Sequence, residues 1–401
     1  MKSLVAFVAA SALLSVHLPA QAPAQADQLQ ARLQAVVDQW HATSSAPGVS
    51  VGLVTRDGRT VTATAGVADR AANTPMSPTH IMPAGSTGKT FFAALALQLV
   101  AEGRLDLEAK ISTWFGNEPW FSRLPNASSI TVRHLMTHTS GLVRYELNPK
   151  FLEDLKKTPY RTWMPVEQLS YLFDAPPPFA AGEGWDYSDT NYIVLAMILE
   201  KVSGRPAYDE IARRFLTPRK LTGVVAQTGP ALPGLANGYA GPNNPFSAFD
   251  AMVSDGRMAL NPAFEWGGGG FATSPQDLAR WGHALYSGDV LPEPQRRQMV
   301  DAAVPAQLGP GVLYGLGVIV RPSTPVGPTV GHSGFFPGYM SELVHARDSG
   351  ITVAVQVNSS AGVRGLLRLA YDVINLVISP PRHPATLLIP ESLYGVHTHR
   401  P

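Results

Sequence analysis

Pro83-Ala84-Gly85-Ser86-Thr87-Gly88-Lys89-Thr90, followed by Phe91-Phe92-Ala93-Ala94-Leu95-Ala96-Leu97-Gln98-Leu99-Val100-Ala101, is the stretch on which the reading of this chain turns. The run after Lys89 is made of helix formers and is apolar on almost every face. It meets Gly103 where a C-terminal cap belongs, so it predicts a helix buried inside the protein. Ser86 and Lys89 are three apart and share one helical face. A hydroxyl beside an amine at a helix N-terminus, where free N–H groups favour developing negative charge, is a candidate acyl-transfer nucleophile. A serine in this place can equally be an N-cap. Gly88-Lys89-Thr90 also suggests a phosphate loop, but that motif needs a glycine where Pro83 stands.

On the N-terminal side, Leu29, Leu33, Val36, Val37 and Trp40 recur at helical spacing over Asp27 to Thr43. Val49 to Thr55 and Thr60 to Ala65 read as strands joined across Asp57-Gly58, a hairpin signal. On the C-terminal side, the texture from Leu105 to Asn261 is helical with long loops. A short capped helix over Ile130 to Gly141 and a second helix over Asn191 to Ser203 stand out. Residues 230 to 262 are rich in Gly, Pro and Asn and predict a long surface loop. Gly267 to Gly270 predict a close-packed crossing beneath the sheet. Ser274 before Pro275 predicts a capped helix. Tyr314 to Val320, Val330 to Phe335, Met340 to His345 and Ile351 to Val357 read as strands, and Val363 to Ile378 as a last amphipathic helix. The simplest fold is an antiparallel α/β (α+β) sandwich. One sheet is built from both chain ends, terminal helices cover one face, and an all-helical insertion lies against the other. A site at the start of the buried helix then falls in the crevice between sheet and helices.

The chain has 401 residues, 45% hydrophobic and 15% charged, with a formal net charge of +1 and no cysteine. That is enough for a large core without disulfides, and nothing in the charge pattern suggests nucleic-acid or polybasic membrane binding. Lys2, the apolar run Leu4 to Leu14 and the small residues up to Ala26 have the form of an export signal cleaved after Ala26. The expectation is therefore a periplasmic or secreted monomer without a membrane span. Residues 1–26 are its signal and 27–380 one catalytic domain, with the sheet part at about 27–85 and 265–380 and the insertion at about 86–264. Residues 381–401 form an irregular tail.

Three spaced motifs resemble the serine β-lactamase and penicillin-binding-protein superfamily, in the branch of class C β-lactamases, DD-peptidases, D-aminopeptidases and related esterases. They are Ser86-Thr87-Gly88-Lys89, Tyr187-Ser188-Asp189 and His332-Ser333-Gly334. The resemblance implies Ser86 as nucleophile, with Lys89 and Tyr187 in proton transfer. Asp189, His332, Ser333, Gly334 and Phe335 would contact substrate, with the N–H groups of Ser86 and Phe335 as the oxyanion hole. It implies no metal or organic cofactor, and a small ester, peptide or cell-wall-type substrate, possibly a β-lactam. The alternative it leaves open is a penicillin- or peptidoglycan-binding or sensor protein that acylates slowly. Asp189 stands where this branch has Asn, and a carboxylate only accepts hydrogen bonds. His332 stands where β-lactamases carry lysine, and histidine is mostly neutral at pH 7. His134 and His138, four apart, have ligand spacing on a helix, but the glutamate of the zinc signature is missing.

Overall fold

The computed structural model describes residues 21–379 except Ala248; the expected signal up to residue 20 and the 381–401 tail lie outside the described residues. Nine strands form one sheet in the order Thr74–Pro75, Thr60–Asp69, Gly48–Val54, Ile351–Val357, Tyr339–Ala346, Thr329–Phe336, Ile319–Arg321, Leu313–Tyr314, Val304–Pro305. All neighbours are antiparallel. The two chain ends meet at its centre, where Val49 pairs with Val357 and Val54 with Thr352. These central strands are buried on both faces, which is why they read as runs of Val, Ile and Leu rather than as alternation.

The helices Gln21–Thr43 and Leu366–Ile378 cover one face, burying Leu33, Val37, Leu369 and Ile374 against Val51, Leu53 and Val353. The first helix begins six residues earlier than its apolar spacing predicts. The other face carries the Pro275–Ser287 helix and, beyond it, the Lys89–Ala101 helix, in which only Gln98, Val100 and Ala101 are not buried. Phe91 stacks on Trp281 at 4.2 Å, and the Trp281 ring N–H donates to Thr90 Oγ1 at 2.9 Å.

Three expectations are corrected. The segment 230–262 is not a surface loop, because Leu232, Ala236, Tyr239, Met252 and Leu260 are buried and the Tyr239 N–H donates to the Asn358 carbonyl. Its glycines and prolines bend a chain that threads between strand ends. The helix expected up to Gly141 stops at Thr137, where His138 turns left-handed at φ 60°. Tyr314 to Val320 is two short strands, Leu313–Tyr314 and Ile319–Arg321, folded back across Gly317 at φ 79°.

Candidate active site

Ser86 lies in a single 3₁₀ turn, Gly85–Gly88, that leads into the Lys89–Ala101 helix. Neither element has a side-chain cap, so the hydroxyl is not used as one. The turn is wedged between two other backbones. A Cβ on Gly85 would sit 2.4 Å from the Phe335 carbonyl oxygen, and one on Gly88 2.1 Å from the Gly269 carbonyl oxygen. Gly85 (φ 55°) and Gly269 (φ 141°) take conformations that L side chains rarely adopt. The glycine run therefore crosses beside the Ser86 turn, not beneath the sheet.

Lys89 is fully buried, and its ammonium donates to Ser86 Oγ at 2.9 Å, Asp189 Oδ1 at 2.5 Å and the Gly268 carbonyl at 2.5 Å. Three N–H donors meet three acceptors, which is the complement of a charged ammonium. Burial alone would push Lys89 down, but the Asp189 carboxylate and then Tyr187 hold it well above its ordinary value. Tyr187 presents its ring to that ammonium, 5.0 Å from the centroid. Its hydroxyl is buried without a hydrogen-bond partner of good geometry, and Ser86 and Lys89 are the polar groups beside it. Burial pushes the phenol up to about 12; Lys89 opposes this and Asp189 adds to it.

The His332–Phe336 half of its strand has no neighbour on one side, because the pairing with Ile319–Arg321 ends at Gly331. That open edge lies against the Ser86 turn, with the Phe335 backbone beside Gly85. His332 is buried behind Tyr187, with ring centroids 6.2 Å apart. Its Nε2 meets the Tyr314 hydroxyl at 2.8 Å and its Nδ1 the Ser333 carbonyl at 2.6 Å. Burial, then Lys89, holds it down to about 3, so it is neutral. The Ser333 hydroxyl donates to Glu342 at 2.8 Å, and Gly334 packs under the Ala84 carbonyl. Ser86, Lys89, Tyr187 and Asp189 thus converge with the backbone of Phe335, whereas the side chains of His332 and Ser333 are engaged elsewhere. His138 packs on Tyr187 at 4.2 Å. Its Nδ1 accepts from the Ser188 N–H and faces the Asn191 amide at 3.0 Å, while His134 Nδ1 accepts from the Thr131 N–H in a capping box. With His138 outside the helix, the two rings do not share a helical face.

Sequence reasoning missed a second ion pair. Arg144 Nε donates to Glu146 at 2.5 Å, and its guanidinium lies 5.7 Å from the Tyr187 ring centroid. The Val143 carbonyl accepts from Ser188 Oγ at 3.1 Å and from Thr190 Oγ1 at 2.7 Å, pinning this loop to the segment that carries Tyr187 and Asp189. Burial and Asp189 raise Glu146, and they raise the buried Glu265 more strongly. No local pattern announced these residues, because single charges in a loop have no period. A cavity of about 410 Å³ lined by Tyr286, Arg296, His345 and Arg347 holds none of this machinery.

Residues 33–375 match the family model described as Beta-lactamase. The chain is similar to Esterase EstB of Burkholderia gladioli, 31% identical over 309 residues, covering 71% of this chain and 76% of EstB. It is similar to Penicillin-binding protein 4* of Bacillus subtilis (strain 168), 25% identical over 304 residues, and spans 62% of that protein's length with 71% of its own. A D-stereospecific amidohydrolase from Streptomyces sp. shares the fold at TM-score 0.74 and 27% identity, over 87% of this chain and 98% of that one.

Proposed function

Because the chain belongs to the beta-lactamase family of serine hydrolases, we propose that it cleaves an ester or amide bond through an acyl-enzyme on Ser86. The observation that carries this is the 2.9 Å contact of Ser86 Oγ with a Lys89 ammonium that also touches Asp189 and faces Tyr187. An ammonium already bearing its proton cannot accept another, so Tyr187, as phenolate, takes the proton from Ser86 as Oγ attacks the carbonyl carbon. The resulting oxyanion is held by the N–H groups of Ser86 and Phe335. The phenol returns its proton to the departing alkoxide or amine. Water then attacks the acyl-enzyme by the same route, and Ser86 is regenerated.

The resemblance to an esterase at 31% identity supports an ester substrate. The likeness to a D-stereospecific amidohydrolase supports a D-amino-acid amide or peptide. A panel of p-nitrophenyl esters, nitrocefin and D-alanyl peptides separates these and the β-lactam. Turnover with the wild type and none with Ser86→Ala is the expected result; turnover surviving in Ser86→Ala sinks the proposal. Stable labelling by a fluorescent penicillin without turnover would mark a binding protein instead.

Residues 27–380 act in this reading as one catalytic unit, exported on the strength of Lys2 and Leu4 to Leu14. A mature chain beginning at Asp27, read by mass spectrometry, tests the export. No helix among the described residues is long and apolar enough to cross a membrane.

A further inference from the structure

The charged groups around Ser86 cancel one another. Lys89 pairs with Asp189 and Arg144 with Glu146, both at 2.5 Å, while Glu265 is held toward its neutral acid and His332 is neutral. The two ion pairs, Lys89 with Asp189 and Arg144 with Glu146, add no net charge beside Ser86. Six large apolar side chains are exposed among the described residues. Five of them, Leu147, Tyr160, Met164, Phe249 and Phe335, lie on the site strand or on the two loop regions beside it. Single exposed apolar residues need no explanation, but an exposed ring whose backbone lies against the Ser86 turn does. Those loop regions are tied together by the Asn261 N–H donating to the Pro159 carbonyl at 2.7 Å and the Tyr145 hydroxyl donating to the Phe264 carbonyl at 2.7 Å.

The strongest case is Phe335. Its backbone lies against Gly85, the residue before Ser86, while the residue as a whole is 48% exposed. Phe246 supports its ring from the 230–262 segment, with centroids 6.2 Å apart. An aromatic face kept in water at the site edge, braced by a second ring, is a preformed surface that loses little freedom when an apolar group covers it.

We propose that Phe335, braced by Phe246, forms a subsite for an uncharged apolar group, alkyl or aryl, next to the scissile carbonyl, so that the substrate is a hydrophobic ester or amide. This rests on Ser86 being the nucleophile, and the test separates the two claims. Binding of p-nitrophenyl hexanoate and p-nitrophenyl acetate is measured on the Ser86→Ala chain, which needs no turnover. The hexanoate is expected to bind about tenfold tighter or better. That preference should fall to within about twofold in Ser86→Ala/Phe246→Ala, with the acetate unchanged. Phe246→Leu, which nearly preserves core volume, should give an intermediate loss if the alanine variant folds poorly. Equal binding of both esters, or a preference untouched by either Phe246 variant, overturns the subsite. Turnover by the wild type, lost in Ser86→Ala, is read separately and bears only on the nucleophile.

Discussion

At the scale of the residue, the site turns on Asp189. Its carboxylate takes one of the three Lys89 donors and, by its charge, both fixes the ammonium and raises the Tyr187 phenol. With that phenol near 12, only a small fraction is ionised at neutral pH, and kcat/KM should rise with pH from 7 through 10 without reaching a plateau. Asp189→Asn removes a charge that favours the protonated phenol. The rise should move to lower pH by about one unit. Unshifted profiles on a p-nitrophenyl ester would remove Asp189 from this role. That Ser86, Lys89, Tyr187 and Asp189 come together was legible, because each belongs to one of three short spaced motifs. Arg144 and Glu146 were not, since they reach Tyr187 only through the fold of their loop. The engagement of Ser333 with Glu342 was hidden too, because a neighbouring strand supplies the carboxylate.

At the scale of the element, two backbones must approach the Ser86 turn more closely than any side chain allows. A Cβ on Gly334 would lie 1.9 Å from the Ala84 carbonyl oxygen and 2.4 Å from Ser341 Oγ. Neither can retreat cheaply, since Ser341 Oγ donates to that same Ala84 carbonyl at 2.6 Å. Gly334→Ala should therefore push the strand edge off the turn and separate the Phe335 N–H from Ser86. A loss of about 10²–10³ in kcat is expected from one misplaced oxyanion donor, with a stability loss of about 1–3 kcal/mol from overpacking. Steady-state kinetics and denaturant midpoints on the same sample check both; unchanged kcat in a folded variant would show that the edge has slack. The elements themselves were readable where local chemistry decides them: the Asp57-Gly58 turn, the Ser274 cap, whose Oγ accepts from the Asp277 N–H, and the apolar helix after Lys89. The segment 230–262 was misread because its turn residues look the same whether the chain crosses a surface or threads between strand ends.

At the scale of the whole molecule, one antiparallel sheet built from both chain ends was legible from the order of elements alone, and it places the site where sheet and helices meet. What the sequence could not show is how many ionisable groups that architecture buries. His138, His332 and His345 are held well below their ordinary value of 6.5 by burial, the last two to about 3. Glu146, Glu265 and Glu342 are raised by burial above 4.5. The two sets act in opposite directions. A histidine with a depressed pKa leaves stability intact above 6.5 and removes it as pH falls toward 3, because the unfolded chain binds the proton first. A glutamate with a raised pKa contributes fully below 4.5 and loses that contribution as pH rises through its folded value. Between about pH 6.5 and 4.5 the two sets therefore oppose each other. Below about 4.5 the glutamates have no more to give, and His332 and His345 together should remove on the order of 3 kcal/mol per pH unit down to about pH 3, with His138 acting in the same direction. Denaturant midpoints at pH 7, 5.5, 4.5 and 3.5 would trace this curve. His345 hydrogen-bonds Thr352 away from the site, so His345→Gln should leave turnover intact and flatten the acid limb by about 1.4 kcal/mol per pH unit. An acid limb of the same slope in that variant would mean that His345 takes up its proton in the folded state, and its burial would have to be looser than the packing against Tyr286 implies.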